Sequence, residues 1–221
     1  QFFKALALIQ LNDISGALKA LGEVGPSTNY GRALQEAAAI LVSQGDIGAA
    51  NAFFEGHRQV HADGAELNFA LHAETLQTLG SIEAESVLSR GIDAFPTSTR
   101  LLFARANFRE RAGFFDLAEA DYRRILSLNP GDANALNALG YALTNNTDRF
   151  QEAAGLLEEA ISKDPRNPAI IDSLGWVYFK LGKDRQAELL LKEAYKQYPD
   201  PEVAAHCLLY TSPSPRDSNL S

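Results

Sequence analysis

Several residue types and patterns are scarce in this sequence, and each scarcity narrows the class of protein. The 221 residues hold one cysteine, Cys207, and no methionine. A single thiol forms neither an internal disulfide nor a multi-cysteine metal site. No apolar run approaches the ~18 residues that a bilayer-spanning helix needs, and no cluster of Lys and Arg accompanies the formal charge of −8. We therefore predict no membrane-spanning segment and no nucleic-acid partner.

The sequence is rich in alanine and leucine, which favours helices. The clearest helical pattern lies in residues 168–199, where Gly182 separates two amphipathic runs and Pro199 ends the second. Two such helices joined by a short glycine turn predict an antiparallel pair that cannot bury both apolar faces alone. The apolar and small positions of the two runs are Ile171, Leu174, Gly175 and Tyr178, then Ala187, Leu191 and Ala194.

Looser copies of this pair precede it at a regular interval. Prolines recur at positions 96, 130, 165 and 199, and the same number of positions separates each from an alanine before it, at 84, 118, 153 and 187. This order of residues resembles the tetratricopeptide repeat, whose period is about 34 residues. The resemblance implies an all-α, right-handed α-solenoid (superhelix) of about six helix-turn-helix repeats. We place the repeats at residues 1–30, 31–64, 65–98, 99–132, 133–167 and 168–200, with the start of a seventh at 201–206.

The helical pattern stops abruptly at Cys207. Residues 207–221 resemble the translation of a sequencing-library transposon adapter, so we interpret them as a non-native, disordered read-through tail. The alternative is a natural disordered tail rich in proline and serine. Without Cys207 the remaining sequence fits the cytosol and the periplasm equally. We expect any initiator, signal peptide or lipid-attachment cysteine to lie outside this segment.

The first helix of each pair is expected to line an inner groove. Asn137 and Asp172 share one repeat position and can hydrogen-bond an extended peptide, while aromatic side chains supply area typical of binding hot spots. The alternative for Trp176 and Phe179 is packing against the next helix pair. On residues 65–98 the corresponding wall is Phe69, Ala73, Leu76 and Gln77. The predicted partner-binding residues further along are Phe103, Asn107, Arg111, Asn137, Tyr141, Thr144, Asp172, Trp176, Phe179 and Lys180.

No constellation of residues indicates catalysis, a cofactor or a metal. His57 and His61 lie four positions apart and could share a helix face, but no third ligand is evident, so we interpret them as a surface or packing pair. His72 and His206 receive no role. No Ser/His/Asp or Cys/His set is suggested. We predict a protein that is not an enzyme.

Residues 133–206 resemble a narrower group, the tetratricopeptide outer-membrane lipoproteins of Gram-negative bacteria. The marks are 139–141 (LGY), 147–149 (TDR) and 168–177 (PAIIDSLGWV). Nearest are the adaptor lipoproteins of a carboxyl-terminal processing protease. That resemblance implies an adaptor on the periplasmic face of the outer membrane, which presents cell-wall hydrolases to a serine protease and is attached only by a lipid anchor. The alternative is a repeat module of another assembly, such as polysaccharide export or secretion, in the periplasm or the cytoplasm.

Overall fold

The computed structural model describes residues 1–199, Pro201 and residues 203–206. The chain divides into two compact units, Gln1–Ala112 and Gly113–Ser221. The described residues are helical and contain no strand. The predicted all-α class is therefore confirmed, whereas the predicted adapter-like tail lies outside the described residues. Within the described part of the chain, no helix combines the length and the apolarity that crossing a membrane requires.

Seven helices belong to the first unit, as far as it is described. They are α1 (Phe2–Gln10), α2 (Ile14–Gly22), α3 (Tyr30–Gln44), α4 (Ile47–Val60), α5 (Ala65–Thr78), α6 (Glu83–Ala94) and α7 (Thr99–Arg111), with a 3₁₀ turn at Ala62–Gly64. Helix α5 packs against α3, α4, α6 and α7. The helices α3, α5 and α7 therefore lie side by side as one layer.

The second unit contains five further helices before the short helical stretch at its described end. They are α8 (Phe115–Leu128), α9 (Ala133–Asn146), α10 (Phe150–Lys163), α11 (Pro168–Lys180) and α12 (Asp184–Gln197). Helix α11 packs against α9, α10 and α12. Pro201 and residues 203–206 are also helical, and Val203 packs with Ile171 of α11.

Local sequence explains where the helices start and stop. The carboxylates of Asp46 and Asp132 accept hydrogen bonds from the amides of Ala49 and Ala135, which caps α4 and α9. The turn between α11 and α12 contains Gly182 at φ +71°, a left-handed conformation in which a side chain would be strained. This short turn reverses the chain between α11 and α12, at the position where Gly182 predicts a turn.

The paired helices meet through small residues. Gly140 and Gly175 lie where α9 and α11 cross their partners, and a Cβ on either would come within 3.0 Å of Leu157 or Leu191. In each second helix a fully buried alanine is followed one turn later by a large buried side chain. These pairs are Ala17 and Leu21, Ala50 and Phe54, Ala84 and Leu88, Ala118 and Tyr122, Ala153 and Leu157, and Ala187 and Leu191.

Candidate functional site

A groove crosses the layer of α3, α5 and α7 in the first unit. A cavity of about 530 Å³ lies between α5 and α7, and a second of about 230 Å³ lies between α3 and α5. Leu71, Glu74 and Thr78 of α5 line both, so the two cavities form one depression, called here the first-unit groove. Its total size falls within the range of ligand-binding clefts.

The floor of the first-unit groove is built from small and apolar side chains. Ala38 and Ala39 of α3, Ala70 of α5 and Ala104 of α7 leave space for another backbone to approach, and Leu71 supplies apolar area. The packing of α5 against the core determines which of its side chains face the groove. Ala73 and Leu76, on the opposite face of α5, are 0% exposed and hold the helix in place.

Polar groups form the rim of the groove. The guanidinium of Arg111 donates to the Oε1 atom of Gln77, which joins α7 to α5, and to the main-chain oxygen of Asn107 within α7. The exposed Arg100 stands at the other end of α7, between the larger cavity and a neighbouring cavity of about 310 Å³. Glu74 lies on the α5 side. The larger cavity is therefore lined by two cations and one anion.

The predicted groove residues of the first unit are placed only in part where we expected them. Asn107, Arg111 and Gln77 line the larger cavity. Phe103 is half-buried and does not line it. The assignment of Ala73 and Leu76 to the groove is wrong, because both are core residues. The residues that the sequence reasoning missed follow a helical stripe shifted by one or two positions: Leu67, Ala70, Leu71, Glu74, Thr78, Arg100 and Ala104.

Trp176 in the second unit does not face an open groove. Its indole is 8% exposed and stacks on the imidazole of His206, with ring centroids 4.3 Å apart, and on Phe179 at 5.4 Å. The indole N–H donates to Asn145 Oδ1 at 2.8 Å, and the ammonium of Lys180 lies 4.6 Å from the ring. The expectation of an exposed tryptophan is therefore wrong, because the imidazole of His206 stacks on its indole.

Two further predicted residues of the second unit are also buried. Asp172 is 5% exposed, and its Oδ2 atom lies 2.8 Å from His206 Nδ1. Thr144 is 2% exposed, and its hydroxyl donates to the carbonyl of Gly140 within α9. Both side chains serve helix packing at these positions. Neither is open to a peptide in this arrangement, which corrects our assignment of both to a groove wall.

Tyr141, Asn137 and Lys180 remain at the surface of the second unit to different degrees. Tyr141 and Asn137 are half-buried, and Lys180 is exposed. Within the described residues, the buried oxygen Oδ1 of Asn137 and the Oδ1 atom of Asp172 have no hydrogen-bond partner. Tyr141 lies 6.5 Å from His206, centroid to centroid. No group of three or more His, Cys, Asp or Glu side chains in the described part of the chain is arranged to hold a metal.

Comparison with known protein families identifies the repeat type. One tetratricopeptide repeat model matches residues 103–168 and a second matches residues 146–206. The TPR repeat-containing protein PA4667 of Pseudomonas aeruginosa is 33% identical over 195 residues, which is 88% of this chain. This chain spans about a third of that relative's length. Tetratricopeptide repeats are therefore confirmed in this chain, as the spacing of its prolines predicts.

Solved structures show the same fold. The tetratricopeptide repeat protein TTC0263 of Thermus thermophilus has a TM-score of 0.58 at 24% identity, covering 66% of this chain and 81% of its own. YrrB, a TPR protein with an unusual peptide-binding site, has a TM-score of 0.59 at 19% identity, covering 80% and 91%. A chain of the APC/C hetero-tetramer Cut9–Hcn1 has a TM-score of 0.63 at 16% identity, covering 94% and 42%.

Proposed function

We propose that this chain is a non-catalytic interaction scaffold whose first-unit groove holds a segment of another protein. Tetratricopeptide repeat proteins serve as protein–protein interaction scaffolds, which supports the general class. The observation that carries the proposal is the depression across α3, α5 and α7, with its alanine floor and charged rim. An extended peptide or a helix can approach such a floor closely, and rim groups then orient it.

The lining chemistry indicates the kind of segment. Leu71 and the four alanines favour apolar side chains on the bound segment, because apolar area on both partners is removed from water on binding. Arg100 is exposed at one end of the groove. A carboxylate on the bound segment would gain a charge-assisted hydrogen bond there. The proposed ligand is therefore a mainly apolar segment with an acidic residue near one end.

The specific role that we propose is that of a periplasmic adaptor for a carboxyl-terminal processing protease, presenting cell-wall hydrolases to it at the outer membrane. The resemblance of residues 133–206 to adaptor lipoproteins supports this role. The relative from Pseudomonas aeruginosa is compatible with a Gram-negative source. Attachment to the membrane would come from a lipid anchor outside this segment.

A blocking substitution tests the groove. Ala104→Trp fills the larger cavity, whereas Ala52→Trp adds the same ring at an exposed position of α4. Short peptides selected by display on the wild-type chain should bind the Ala52→Trp variant equally and the Ala104→Trp variant at least tenfold more weakly. Equal binding to both variants would place the site elsewhere.

The adaptor role needs a separate assay. A purified carboxyl-terminal processing protease, a cell-wall hydrolase and this chain are combined, and the rate of hydrolase cleavage is measured. The proposal expects faster cleavage with the wild-type chain and with Ala52→Trp than without either. If the chain leaves the cleavage rate unchanged while its groove still selects peptides, the scaffold serves another assembly.

A further inference from the structure

A row of hydrogen bonds joins α4 to α5 inside the first unit, away from the groove. His72 of α5 is 0% exposed. Its Nε2 atom lies 2.8 Å from Asn51 Oδ1, and its Nδ1 atom lies 3.2 Å from a terminal nitrogen of Arg58. The amide nitrogen of Asn51 donates to Glu83 of α6 at 2.7 Å. One buried imidazole thus contacts two side chains of the facing helix.

The row continues through a second buried imidazole. The same nitrogen of Arg58 donates to Asn68 Oδ1 at 2.6 Å. The amide nitrogen of Asn68 lies 3.4 Å from His57 Nδ1, and His57 Nε2 lies 3.1 Å from the carbonyl oxygen of Val24. Asn68 is 0% exposed and His57 3%. The side chains of Asn51, His72, Arg58, Asn68 and His57 are called here the histidine row.

The partners determine where the protons sit. The carbonyl of Val24 only accepts, so His57 carries its proton on Nε2 and accepts from Asn68 at Nδ1. The amide nitrogen of Asn51 is used on Glu83, so its oxygen faces His72 and accepts from Nε2. His72 Nδ1 then accepts from Arg58, because a guanidinium can only donate hydrogen bonds. Both imidazoles are therefore neutral, with the proton on Nε2.

We propose that the histidine row is an acid-sensitive joint between α4 and α5, intact only while both imidazoles are neutral. A second proton on His72 would point at the guanidinium of Arg58, and one on His57 would point at the amide hydrogens of Asn68. Neither neighbour can rotate to accept, because the oxygen of Asn68 is held by Arg58 and Arg58 has no acceptor. Protonation therefore breaks bonds that cross the interface and leaves buried donors facing each other.

The charged groups nearest the row do not compensate a second proton. On α4, the ring centroid of His61 lies 4.6 Å from that of His57. A carboxylate oxygen of Glu55 lies 3.9 Å from a guanidinium nitrogen of Arg58. From α6, Arg90 pairs with the same Glu55 at 3.0 Å. Glu55 is therefore already shared between two guanidinium groups, and the other nearby carboxylate, Glu83 of α6, accepts from the amide of Asn51 and has no hydrogen bond to either imidazole.

The remaining elements around the row bring no free anion to the imidazoles. From α3, the ring of Tyr30 lies 5.5 Å from His57. From the end of α2 and the segment after it, main-chain carbonyls face His61 and His57. The charged residues of α7 that reach this side, Arg105 and Arg109, bond to side chains of α6. An added proton on either imidazole would therefore meet mainly positive charge.

Burial and nearby positive charge act in the same direction as the geometry. Burial, followed by the charges of Arg58 and Arg90, lowers the pKa of His72 to about 3. Burial likewise lowers the pKa of His57, and it lowers the pKa of Arg58 to about 10, so Arg58 stays charged at neutral pH. A histidine with a depressed folded pKa stabilises the fold above its unfolded pKa near 6.5, and this stability is lost as the pH falls.

Acid should therefore open α4 and α5 before it affects the second unit. Helix α5 also supplies Leu71 and Glu74 to the first-unit groove. If the groove binds as proposed above, acid would then also release its ligand, a consequence that rests on that function. The joint itself is testable without any ligand, so failure of one proposal leaves the other open to its own test.

Hydrogen exchange of the full chain tests the joint. Exchange rates at pH 7 and pH 5 are corrected for the intrinsic exchange rate and converted to opening equilibrium constants. From pH 7 to pH 5, the increase in the opening constant of α4 and α5 should be at least roughly ten times the increase for α9. The variant His57→Gln/His72→Gln keeps a donor and an acceptor at each site but cannot titrate, so it should lose this excess. The control His206→Gln should retain it. No excess in the wild-type chain, or the same excess in the double variant, would overturn the proposal.

Nitrogen NMR of the imidazoles covers the case in which the double variant fails to fold. Free histidine is mostly protonated at pH 6, so a neutral ring at this pH is diagnostic of the proposed arrangement. The wild-type chain should show His57 and His72 as neutral rings with the proton on Nε2. Imidazolium signals from either residue in the folded chain at pH 6 would overturn the proposal independently of any variant.

Discussion

The imidazole of His206 lies flat against the indole of Trp176, with 13° between the ring planes and 4.3 Å between the centroids. The stacking closes the face of α11 that was expected to stay open. A buried indole of this kind contributes to the stability of the second unit through apolar area and a satisfied N–H group.

Trp176→Ala should destabilise the second unit by about 3–5 kcal/mol, because it leaves a large cavity beside Phe179 and His206. The control Leu189→Ala, at a side chain that is 64% exposed, should change the free energy of unfolding by less than about 0.5 kcal/mol. Urea denaturation followed by circular dichroism measures both. If Trp176→Ala leaves the free energy of unfolding unchanged, the indole is open to solvent after all.

Gly91→Ala should destabilise the first unit although alanine is the better helix former. A Cβ at position 91 would come within 3.0 Å of Phe69 and 3.1 Å of Leu101. Overpacking of this kind typically costs about 1–3 kcal/mol, which exceeds the gain of about 1 kcal/mol in helix propensity.

Gly56→Ala is the matched control for that substitution. Gly56 is also inside a helix of the first unit, and nothing lies within 4 Å of the place that its Cβ would take. It should therefore raise the midpoint of thermal unfolding, whereas Gly91→Ala lowers it. If both substitutions raise the midpoint, α5, α6 and α7 are packed less closely than described.

Glu152→Gln should weaken an ion-pair network on the surface of the second unit. Glu152 bonds to Arg123 and Arg149, which also bond to Glu119 of α8. Because Glu152 and both arginines are exposed, the loss should be below about 1 kcal/mol at low salt and should vanish near about 1 M salt.

The pH dependence of the same network has a defined sign. The hydrogen bond from Arg123, followed by that from Arg149, lowers the pKa of Glu152. A carboxylate with a depressed folded pKa stabilises above its unfolded pKa, and the contribution disappears as the pH falls. The difference in unfolding free energy between the wild-type chain and Glu152→Gln should therefore shrink below about pH 4. A difference that grows in acid would contradict the assignment.

The helical pairs follow from the sequence because their signals are local. Gly182, Pro199 and Ala187 each act through the backbone or through one helix crossing. The groove register is harder to predict. Ala73 and Ala70 are equally small, and only the packing of α5 against four other helices makes the first a core residue and the second a groove residue.

Whether an aromatic or polar residue is buried depends on neighbours that are distant in the sequence. Local sequence patterns do not identify these neighbours. The sequence offers Trp176 as a hot spot, but the cover comes from His206, which lies beyond the whole of α12 in the chain. The histidine row was missed for the same reason, since His72 and Asn51 belong to different helices. One signal was present in the sequence, because His57 occupies a repeat position that normally takes a small residue.

Methyl NMR of the alanine and leucine side chains tests the central claim most directly. The chain is titrated with a display-selected peptide, and the methyl shifts of the two faces of the first unit are compared. The account predicts that Ala70, Leu71 and Ala104 shift on binding while Ala52 of α4 does not. Shifts confined to α4 and α6, with the three groove methyls unchanged, would contradict it.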